Sequence, residues 1–252
     1  MIEATIETAV LFDLSNSSRL VMSGKDRKDL LHRLSSNDIQ SLKPGRGIAT
    51  LLLERNGRLI DRLLVVDRGH DLLLLGNPGR GDIVREWIEK YTIMEDSQVR
   101  DVSGESSAHL LVGPRSAEVL DSAFEGQASP LQRYDNVVVE PGTAQEITIV
   151  RVEDYEGPAF LLIGPRNAAA MQDRIGPVAH ATMEMLAQLR VKAGLPTWGS
   201  ELDEKTLPLE ARLVDAISFT KGCYVGQEIV ARVHHRDRLK RLLCRLEVEG
   251  EN

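Results

Sequence analysis

Short apolar runs recur along the chain, and each ends near a glycine that precedes a segment with helical spacing. The stretch Ala108–Leu120 (AHLLVGPRSAEVL) closely resembles Ala159–Met171 (AFLLIGPRNAAAM). Looser versions occupy Arg19–Leu31 and Asp71–Val84. Glycine permits a sharp exit from a buried strand, and apolar residues spaced three and four apart predict a helix beyond it. The pattern therefore predicts four strand–turn–helix units.

The turn glycines indicate that these units recur as a pair. Gly24 and Gly113 lie 89 positions apart, and Gly76 and Gly164 lie 88 positions apart. Such near-equal offsets favour an internal duplication over coincidence. With a further strand predicted at Ile60–Val66, we expect an α+β fold made of two duplicated ferredoxin-like units.

The segment Gly76–Gly81 (GNPGRG) has the glycine order G-x-x-G-x-G, the reverse of the dinucleotide-binding fingerprint. We interpret it as a turn in which Asp82 caps the next helix. That helix carries an apolar stripe, which predicts that Trp87 belongs to the core. The stripe consists of Ile83, Val84, Trp87, Ile88 and Tyr91.

Composition narrows the class of protein. Of 252 residues, 42% are hydrophobic and 27% are charged, which is typical of a folded globular chain and excludes disorder. The longest apolar run is Ala159–Ile163, far too short to cross a bilayer. A net charge of −7 argues against a general nucleic-acid coat. The N-terminus lacks a basic start, and Cys223 and Cys244 form no CxxC pair, so we expect a cytoplasmic protein.

The densest candidate chemistry lies in Ala216–Arg232 (AISFTKGCYVGQEIVAR). It places a cation, a thiol, a phenol, an amide and a carboxylate within eight residues: Lys221, Cys223, Tyr224, Gln227 and Glu228. Lys221, Arg232 and a helix predicted to begin near Gln227 would each favour the thiolate form of Cys223. Alternatively, Cys223 is a small buried hydrophobic residue, and the charge of Glu228 would oppose a thiolate. The residues alone leave both interpretations open.

The motif KGCYVGQE, followed by IVAR, resembles the signature of the YgfZ family of folate-binding proteins. More widely, the chain resembles the glycine-cleavage aminomethyltransferase (T-protein) superfamily in several weaker segments that occur in the expected order. These are Leu30–Ile39, Asn56–Val65, Arg190–Gly194 and Glu201–Ala211. The resemblance implies two related α+β units and a C-terminal β-barrel.

With that resemblance, we expect residues 1–95 and 96–185 to form the two α+β units, with boundaries that can interleave. Residues 186–240 would carry the folate and cysteine motifs and pack on both. Residues 241–252 would form the first strand of a barrel that is mostly absent. An alternation that puts Leu242, Cys244, Leu246 and Val248 on one face predicts this strand. A lone strand cannot bury such a face, so it either joins an existing sheet or belongs to a truncated barrel, and we favour truncation.

The resemblance also implies a function. We expect a tetrahydrofolate-binding accessory protein that supports iron–sulfur cluster assembly or repair, and with it tRNA modification, with Cys223 as the reactive thiol. Its partners would be reduced folate and iron–sulfur proteins or cluster-assembly factors, with neither a membrane nor direct nucleic-acid binding. The alternative is an enzyme, a folate-dependent aminomethyltransferase or methyltransferase. A third possibility is an interaction scaffold without a ligand.

Asp61 is the candidate that depends most on this resemblance. In the aminomethyltransferases the matching region carries two adjacent acids that hold and polarise the folate, whereas here the pair is Asp61-Arg62. The remaining carboxylate can still hydrogen-bond a pterin or polarise an amine. Arg190 can meet a glutamyl carboxylate of folate, while Lys192 stands where the family often has a glutamate.

The cysteine motif supplies the other expected site residues. The resemblance gives Cys223, Lys221 and Asp61 catalytic roles, and it places a set of residues against the folate: Asp61, Arg190, Tyr224, Gln227, Glu228 and Arg232. Trp198, in a polar loop, can stack on a flat heterocycle or cover a hydrophobic edge. Cys223, His234, His235 and Cys244 match no metal-site spacing, so we expect no metal site.

Overall fold

The computed structural model describes residues 6–155, 157–236 and 239–246. Within these ranges the strands are β1 (Val10–Asp13), β2 (Ser18–Ser23), β3 (Gly47–Leu53), β4 (Leu59–Asp67), β5 (Leu72–Gly76), β6 (Gln98–Asp101), β7 (Ser106–Val112), β8 (Asn136–Val139), β9 (Ile147–Arg151), β10 (Ala159–Pro165) and β11 (Ala179–His180). The helices are α1 (Arg27–Leu34), α2 (Gly81–Glu89), α3 (Ser116–Ala123), α4 (Ala168–Ile175), α5 (Met183–Lys192) and α6 (Gln227–Arg236), with a 3₁₀ turn at Val214–Ala216.

The chain divides into two compact units, each built from separate stretches of sequence. Unit 1 comprises the described residues within 1–15, 106–196 and 244–252, and unit 2 those within 16–105 and 197–243. The sequential domain boundaries expected from the sequence stay a prediction.

Unit 2 contains a five-stranded antiparallel sheet in the order β3-β4-β5-β2-β6. The central strands are almost continuously apolar, which is typical of strands buried on both faces. Helices α1 and α2 bury their apolar faces against this sheet, with Leu30, Leu31, Val84 and Ile88 at the contact. Trp87 packs on the same core, as predicted.

Unit 1 repeats the arrangement with a six-stranded sheet in the order β11-β1-β7-β10-β9-β8. Strand β1 pairs antiparallel with β7, as β6 pairs with β2 in unit 2. The core of the unit contains Leu111, Leu120, Phe124 and Phe160.

The α+β class and the duplication are confirmed. Gly24 follows β2 and Gly113 follows β7, and both have positive φ, so each strand exit uses a conformation that favours glycine. Gly76 ends β5, and Gly164 lies in β10. Unit 2 adds one strand to the β-α-β-β-α-β pattern and unit 1 adds two, and both strand–helix pairs recur in the same order.

The helix after the GNPGRG turn begins earlier than predicted, so Asp82 is not its cap. Arg80 holds the N-cap position of α2 without a capping side-chain bond. Asp82 lies in the first turn, where an acid favours the helix dipole, and it pairs with Arg85 at 2.8 Å.

The predicted C-terminal strand does not form within residues 241–246. Its expected buried face is exposed at Leu242, Cys244 and Leu246. No strand in the described part of the chain pairs with this stretch to cover it. Val248 and the rest of 247–252 lie outside the described residues.

Among the described helices, none has the length and apolar character needed to cross a membrane.

Candidate functional site

Asp61 is a carboxylic acid near the start of a strongly buried strand of unit 2. Strand β4 reads LIDRLLVVD, and Asp61 is fully buried within it. Asp61 pairs with Leu52 of β3, and the register shifts immediately afterwards, because Leu53 pairs with Leu59. Such a bulge re-aims the neighbouring side chains and is common beside functional sites. An aspartate is seldom fully buried unless its carboxylate is paired, so the burial of Asp61 beside this bulge marks it as a candidate site residue.

Three N–H donors satisfy the Asp61 carboxylate. The side-chain amide of Asn77 donates to Oδ1 at 2.6 Å, and the backbone N–H of Asn77 donates to Oδ2 at 3.2 Å. The backbone N–H of Arg62 donates to Oδ1 at 3.0 Å. Burial nevertheless raises the pKa of Asp61 from 3.8 to about 6, with the Asn77 and Arg62 bonds and the charge of Arg80 opposing the rise. A carboxyl group whose pKa is about 6 can accept or return a proton near neutral pH.

Asn77 also joins Asp61 to the turn that carries Trp198. Its side-chain oxygen accepts from the backbone N–H of Trp198 at 3.4 Å and from the hydroxyl of Thr197 at 3.5 Å. One amide side chain thus lies between the buried carboxylate and this turn.

Arg80 lies on the face of Trp198. The guanidinium carbon is 3.9 Å from the centre of the ring, a cation–π contact. One guanidinium nitrogen donates to the carbonyl of Ile60 at 2.5 Å, while the buried Nε has no hydrogen-bond partner among the described residues. Together, Asp61, Asn77, Arg80 and Trp198 form what we call the Asp61 cluster.

The ammonium of Lys221, in the KGCYVGQE motif, is bonded to the C-terminal end of α1. It donates to three backbone carbonyls, those of Ser35 at 2.7 Å, Asn37 at 3.0 Å and His32 at a shorter distance. His32 lies in the last turn of α1 and Ser35 is its C-cap, where carbonyls lack partners and a cation is favoured. Burial lowers the pKa of Lys221 to about 8. Its predicted effect on Cys223 stays a prediction.

The loop after α1 forms hydrogen bonds with residues 215–218, which precede Cys223. The hydroxyl of Ser36 donates to the carbonyl of Ala216 at 2.6 Å, and the amide of Asn37 donates to the carbonyl of Asp215 at 3.1 Å. The backbone N–H of Ser218 donates to the carbonyl of Ser36 at 2.9 Å. These polar contacts hold residues 215–218 on the loop that follows α1.

Two glycines allow the helix after the motif to approach the β3–β4 turn. A Cβ on Gly226, whose φ is +85°, would stand 2.6 Å from the carbonyl oxygen of Glu54, and one on Gly57 would stand 2.7 Å from Cβ of Ile229. Gly222, by contrast, has open space around it. The second glycine of the motif is therefore required for packing.

The remaining motif residues make local contacts. The backbone N–H of Tyr224 donates to the side-chain oxygen of Gln227 at 3.3 Å, which secures the start of α6 near Gln227, as predicted. Burial raises the pKa of Tyr224 to about 12, and the ammonium of Lys221 lies 5.2 Å from its ring centre. Glu228 and Arg232 pair along the helix at 2.6 Å, both well exposed.

Cys223 is exposed, so it is accessible rather than packed in the core. In the described part of the chain, no group of three or more His, Cys, Asp or Glu side chains is arranged to hold a metal ion. The predicted role of Cys223 as a reactive thiol stays a prediction.

Arg190 belongs to unit 1, near the end of α5. It donates to the carbonyl of Leu195 at 2.7 Å, just beyond the helix. Lys192 is exposed, and its carbonyl accepts from Arg245 at 2.6 Å. A folate contact by Arg190 remains a prediction.

A groove of about 390 Å³ in unit 2 is lined by residues 199–203, 206, 210, 211 and 241–243. It includes the acids Glu201, Asp203 and Glu210, and Arg241 pairs with Glu210 at 2.7 Å. A small apolar cavity lies beside Gly57 and Ile229. Neither cavity is lined by Asp61 or Cys223.

Sequence reasoning did not identify Asn77 and Arg80, which lie in the GNPGRG turn. The available signal was an asparagine and an arginine among glycines directly after a buried strand, where polar side chains are positioned by a rigid scaffold.

The comparisons with known proteins agree with this architecture. The GCVT N-terminal domain family matches residues 2–154, more than half of the chain, and the chain belongs to this family. The crystal structure of glycine cleavage system aminomethyltransferase T from Bartonella henselae superposes with a TM-score of 0.82 at 22% sequence identity. The match covers 92% of this chain and 64% of that chain, and it establishes the T-protein fold.

Curated relatives are longer than this chain. An aminomethyltransferase of Prosthecochloris aestuarii is 29% identical over 235 residues, which cover 88% of this chain and 63% of that protein. A chloroplastic protein of Arabidopsis thaliana named as a transferase is 27% identical over 248 residues, covering 96% of this chain and 56% of that protein. The chain thus spans less than two thirds of the length of both relatives.

Proposed function

We propose that this chain is a tetrahydrofolate-binding accessory protein that supports iron–sulfur cluster assembly or repair. The observation that carries the folate part is the Asp61 cluster. In it, Asn77 joins a buried acid with a pKa of about 6 to the turn of Trp198, whose ring stacks on Arg80. Membership of an aminomethyltransferase-related family supports this ligand class.

The chemistry of the cluster fits a reduced pterin. Asp61 supplies a hydrogen-bond acceptor for a ring N–H, and Trp198 supplies an aromatic ring, of which Arg80 covers one face. The buried Nε of Arg80 is a donor for an acidic group that reaches it. When bound, tetrahydrofolate supplies a carrier for one-carbon units. The chain's own contribution is to hold the ring and to keep or release a proton at the Asp61 carboxyl.

Cys223 would carry the second part of the function. It is exposed on a loop whose base is fixed by the three hydrogen bonds of Lys221. A rigidly held loop with an accessible thiol is suited to contact with a partner protein. We expect Cys223 to offer one thiolate ligand to a cluster held by such a partner, in the cytoplasm.

Titration with tetrahydrofolate tests the first part, with Asp61→Ala and Cys223→Ser compared with the wild type. Asp61→Ala should abolish binding, because the acceptor is lost, whereas Cys223→Ser should bind normally. Cys223→Ser should instead lower the activity of cluster-dependent enzymes in a strain that needs this protein. Unchanged binding in Asp61→Ala rejects the folate site, and full enzyme activity with Cys223→Ser rejects the thiol role.

A second candidate is a folate-dependent aminomethyltransferase, favoured by the proton-transfer range of Asp61 and by the names of the relatives. The replacement of the second acid by Arg62 speaks against it, because a carboxylate partner is missing. Release of ammonia and methylene-tetrahydrofolate from an aminomethylated carrier protein would establish the transferase.

A further inference from the structure

Asp61 is fully buried, although the proposed function requires a ligand to reach it. The side chain of Asn77 lies directly against its carboxylate, and the backbone of Trp198 lies directly against Asn77. Access to Asp61 therefore depends on whether this cover can move.

The outer part of this cover is the turn Thr197–Leu202, which has several hydrogen bonds of its own. The backbone N–H of Leu202 donates to the carbonyl of Thr197 at 3.1 Å, and that of Gly199 donates to the carbonyl of Leu202 at 2.9 Å. The backbone N–H of Thr197 donates to the carboxylate of Glu201 at 3.1 Å. Leu202, which is only 1% exposed, anchors one end. These bonds make the turn one hydrogen-bonded piece with a buried anchor at Leu202.

The attachment of this turn to Asn77 is much weaker than the attachment of Asn77 to Asp61. The two bonds from Trp198 and Thr197 measure 3.4 and 3.5 Å, beyond the usual range, whereas the amide bond to Asp61 measures 2.6 Å. The stacking of Arg80 on Trp198 adds a non-directional contact.

We propose that the turn Thr197–Leu202 is a lid over Asp61, which Asn77 holds shut while Asp61 is ionised and releases when Asp61 is protonated. The lid is a property of the folded chain, and its role in folate access rests on the proposed function.

The lid and the protonation of Asp61 are coupled because the side-chain amide of Asn77 contacts both Asp61 and Trp198. An ionised Asp61 accepts hydrogen bonds, so the NH₂ group of Asn77 faces it and the amide oxygen faces the N–H of Trp198. A protonated Asp61 gains one O–H donor, and with the proton on Oδ1, the oxygen that the Asn77 amide contacts, that O–H needs an acceptor. Rotation of the amide supplies its oxygen to Asp61 and turns the NH₂ group towards the N–H of Trp198, where two donors oppose each other. Arg80 is the charged side chain that acts on Asp61 from the helix side.

Fluorescence can follow the lid without any folate. The chain has two tryptophans, so Trp87→Phe leaves Trp198 as the reporter. Iodide quenching of Trp198 should rise as the pH falls from about 8 to about 5, with a midpoint near the pKa of Asp61. Asp61→Asn and Asn77→Ala in the same background should remove the transition, and Asp67→Asn, which changes a buried acid at the other end of β4, should keep it.

Hydrogen exchange of the wild-type chain gives a second measurement that needs no variant. Protection of the Trp198 amide, corrected for its intrinsic exchange rate, should fall about tenfold across the same pH range. Quenching and protection that stay flat, or a transition that survives Asp61→Asn, would overturn the lid. A pH-dependent lid in a chain that binds no tetrahydrofolate would keep this inference and reject the proposed function.

Discussion

The side-chain amide of Asn77 holds the carboxylate of Asp61 at 2.6 Å, and the backbone N–H of the same Asn77 donates to the other carboxylate oxygen at 3.2 Å. Residues 16 positions apart in the sequence are thus joined by two bonds at adjacent strand ends. Because burial raises the pKa of Asp61 while these bonds lower it, Asn77 sets how readily the acid takes up a proton.

Asp61 should make stability depend on pH. Its pKa is about 6 in the folded chain against an ordinary 3.8, so the folded state binds the proton more tightly than the unfolded state. The resulting stabilisation is complete below pH 3.8 and is lost as the pH rises through 6. Between about pH 5 and 7.5 the wild type should lose about 1 kcal/mol more unfolding free energy than Asp61→Asn.

Urea unfolding at the two pH values measures this difference. Asp82→Asn is the matched control, because the side chain of Asp82 is 77% exposed and its variant should keep the wild-type dependence. Equal pH dependence in wild type and Asp61→Asn would show that Asp61 does not carry a raised pKa.

Asn77→Ala should raise the pKa of Asp61 further. The substitution removes the side-chain bond that stabilises the ionised form, and one charged hydrogen bond corresponds to about one pKa unit. A carbon-13 NMR titration of the Asp61 carboxyl group measures the change. Asn56→Ala removes an exposed amide that bonds to Glu54 and should leave the Asp61 titration unchanged. A lower pKa in Asn77→Ala would mean that water replaces the amide.

Lys221→Met should destabilise unit 2 through the end of α1. Methionine keeps the length of the side chain but leaves three partly buried carbonyls without their donor, which costs about 2 kcal/mol. Chemical unfolding measures the loss. Lys25→Met, at an exposed lysine just before the same helix, should change stability by less than about 0.5 kcal/mol. Equal stability of the two variants would show that the ammonium of Lys221 is not a helix cap.

The sequence predicts the repeating elements of this fold because their signals are local. The strand around Ile60–Val66 and the paired glycines Gly24 and Gly113 depend on residues that are close in the chain. The duplication follows because the same local signal occurs twice at one offset.

The site could be predicted only in part, because its contacts join distant segments. Asn37 reaches the carbonyl of Asp215 across 178 positions, and Lys221 reaches that of Ser35 across 186. The sequence identified Lys221 as chemically important through an effect on Cys223, which stays a prediction. The structure adds that the ammonium of Lys221 donates hydrogen bonds to three backbone carbonyls. Similarly, GNPGRG is a turn, as predicted, and the roles of Asn77 and Arg80 appear only when β4 and the Trp198 turn lie beside it.

The two glycines of KGCYVGQE offer a matched pair that separates packing from chemistry. Gly226→Ala should cost about 2–4 kcal/mol, because the residue has a φ of +85° and the new Cβ would stand 2.6 Å from the carbonyl oxygen of Glu54. Gly222→Ala, with nothing within 4 Å of the new Cβ, should change stability by less than about 0.5 kcal/mol. Urea unfolding of both variants measures these changes in the free energy of unfolding. The rate of Cys223 alkylation in native Gly222→Ala should match that of the wild type. If Gly222→Ala proved as destabilising as Gly226→Ala, the approach of α6 to the β3–β4 turn would not explain the need for glycine in this motif.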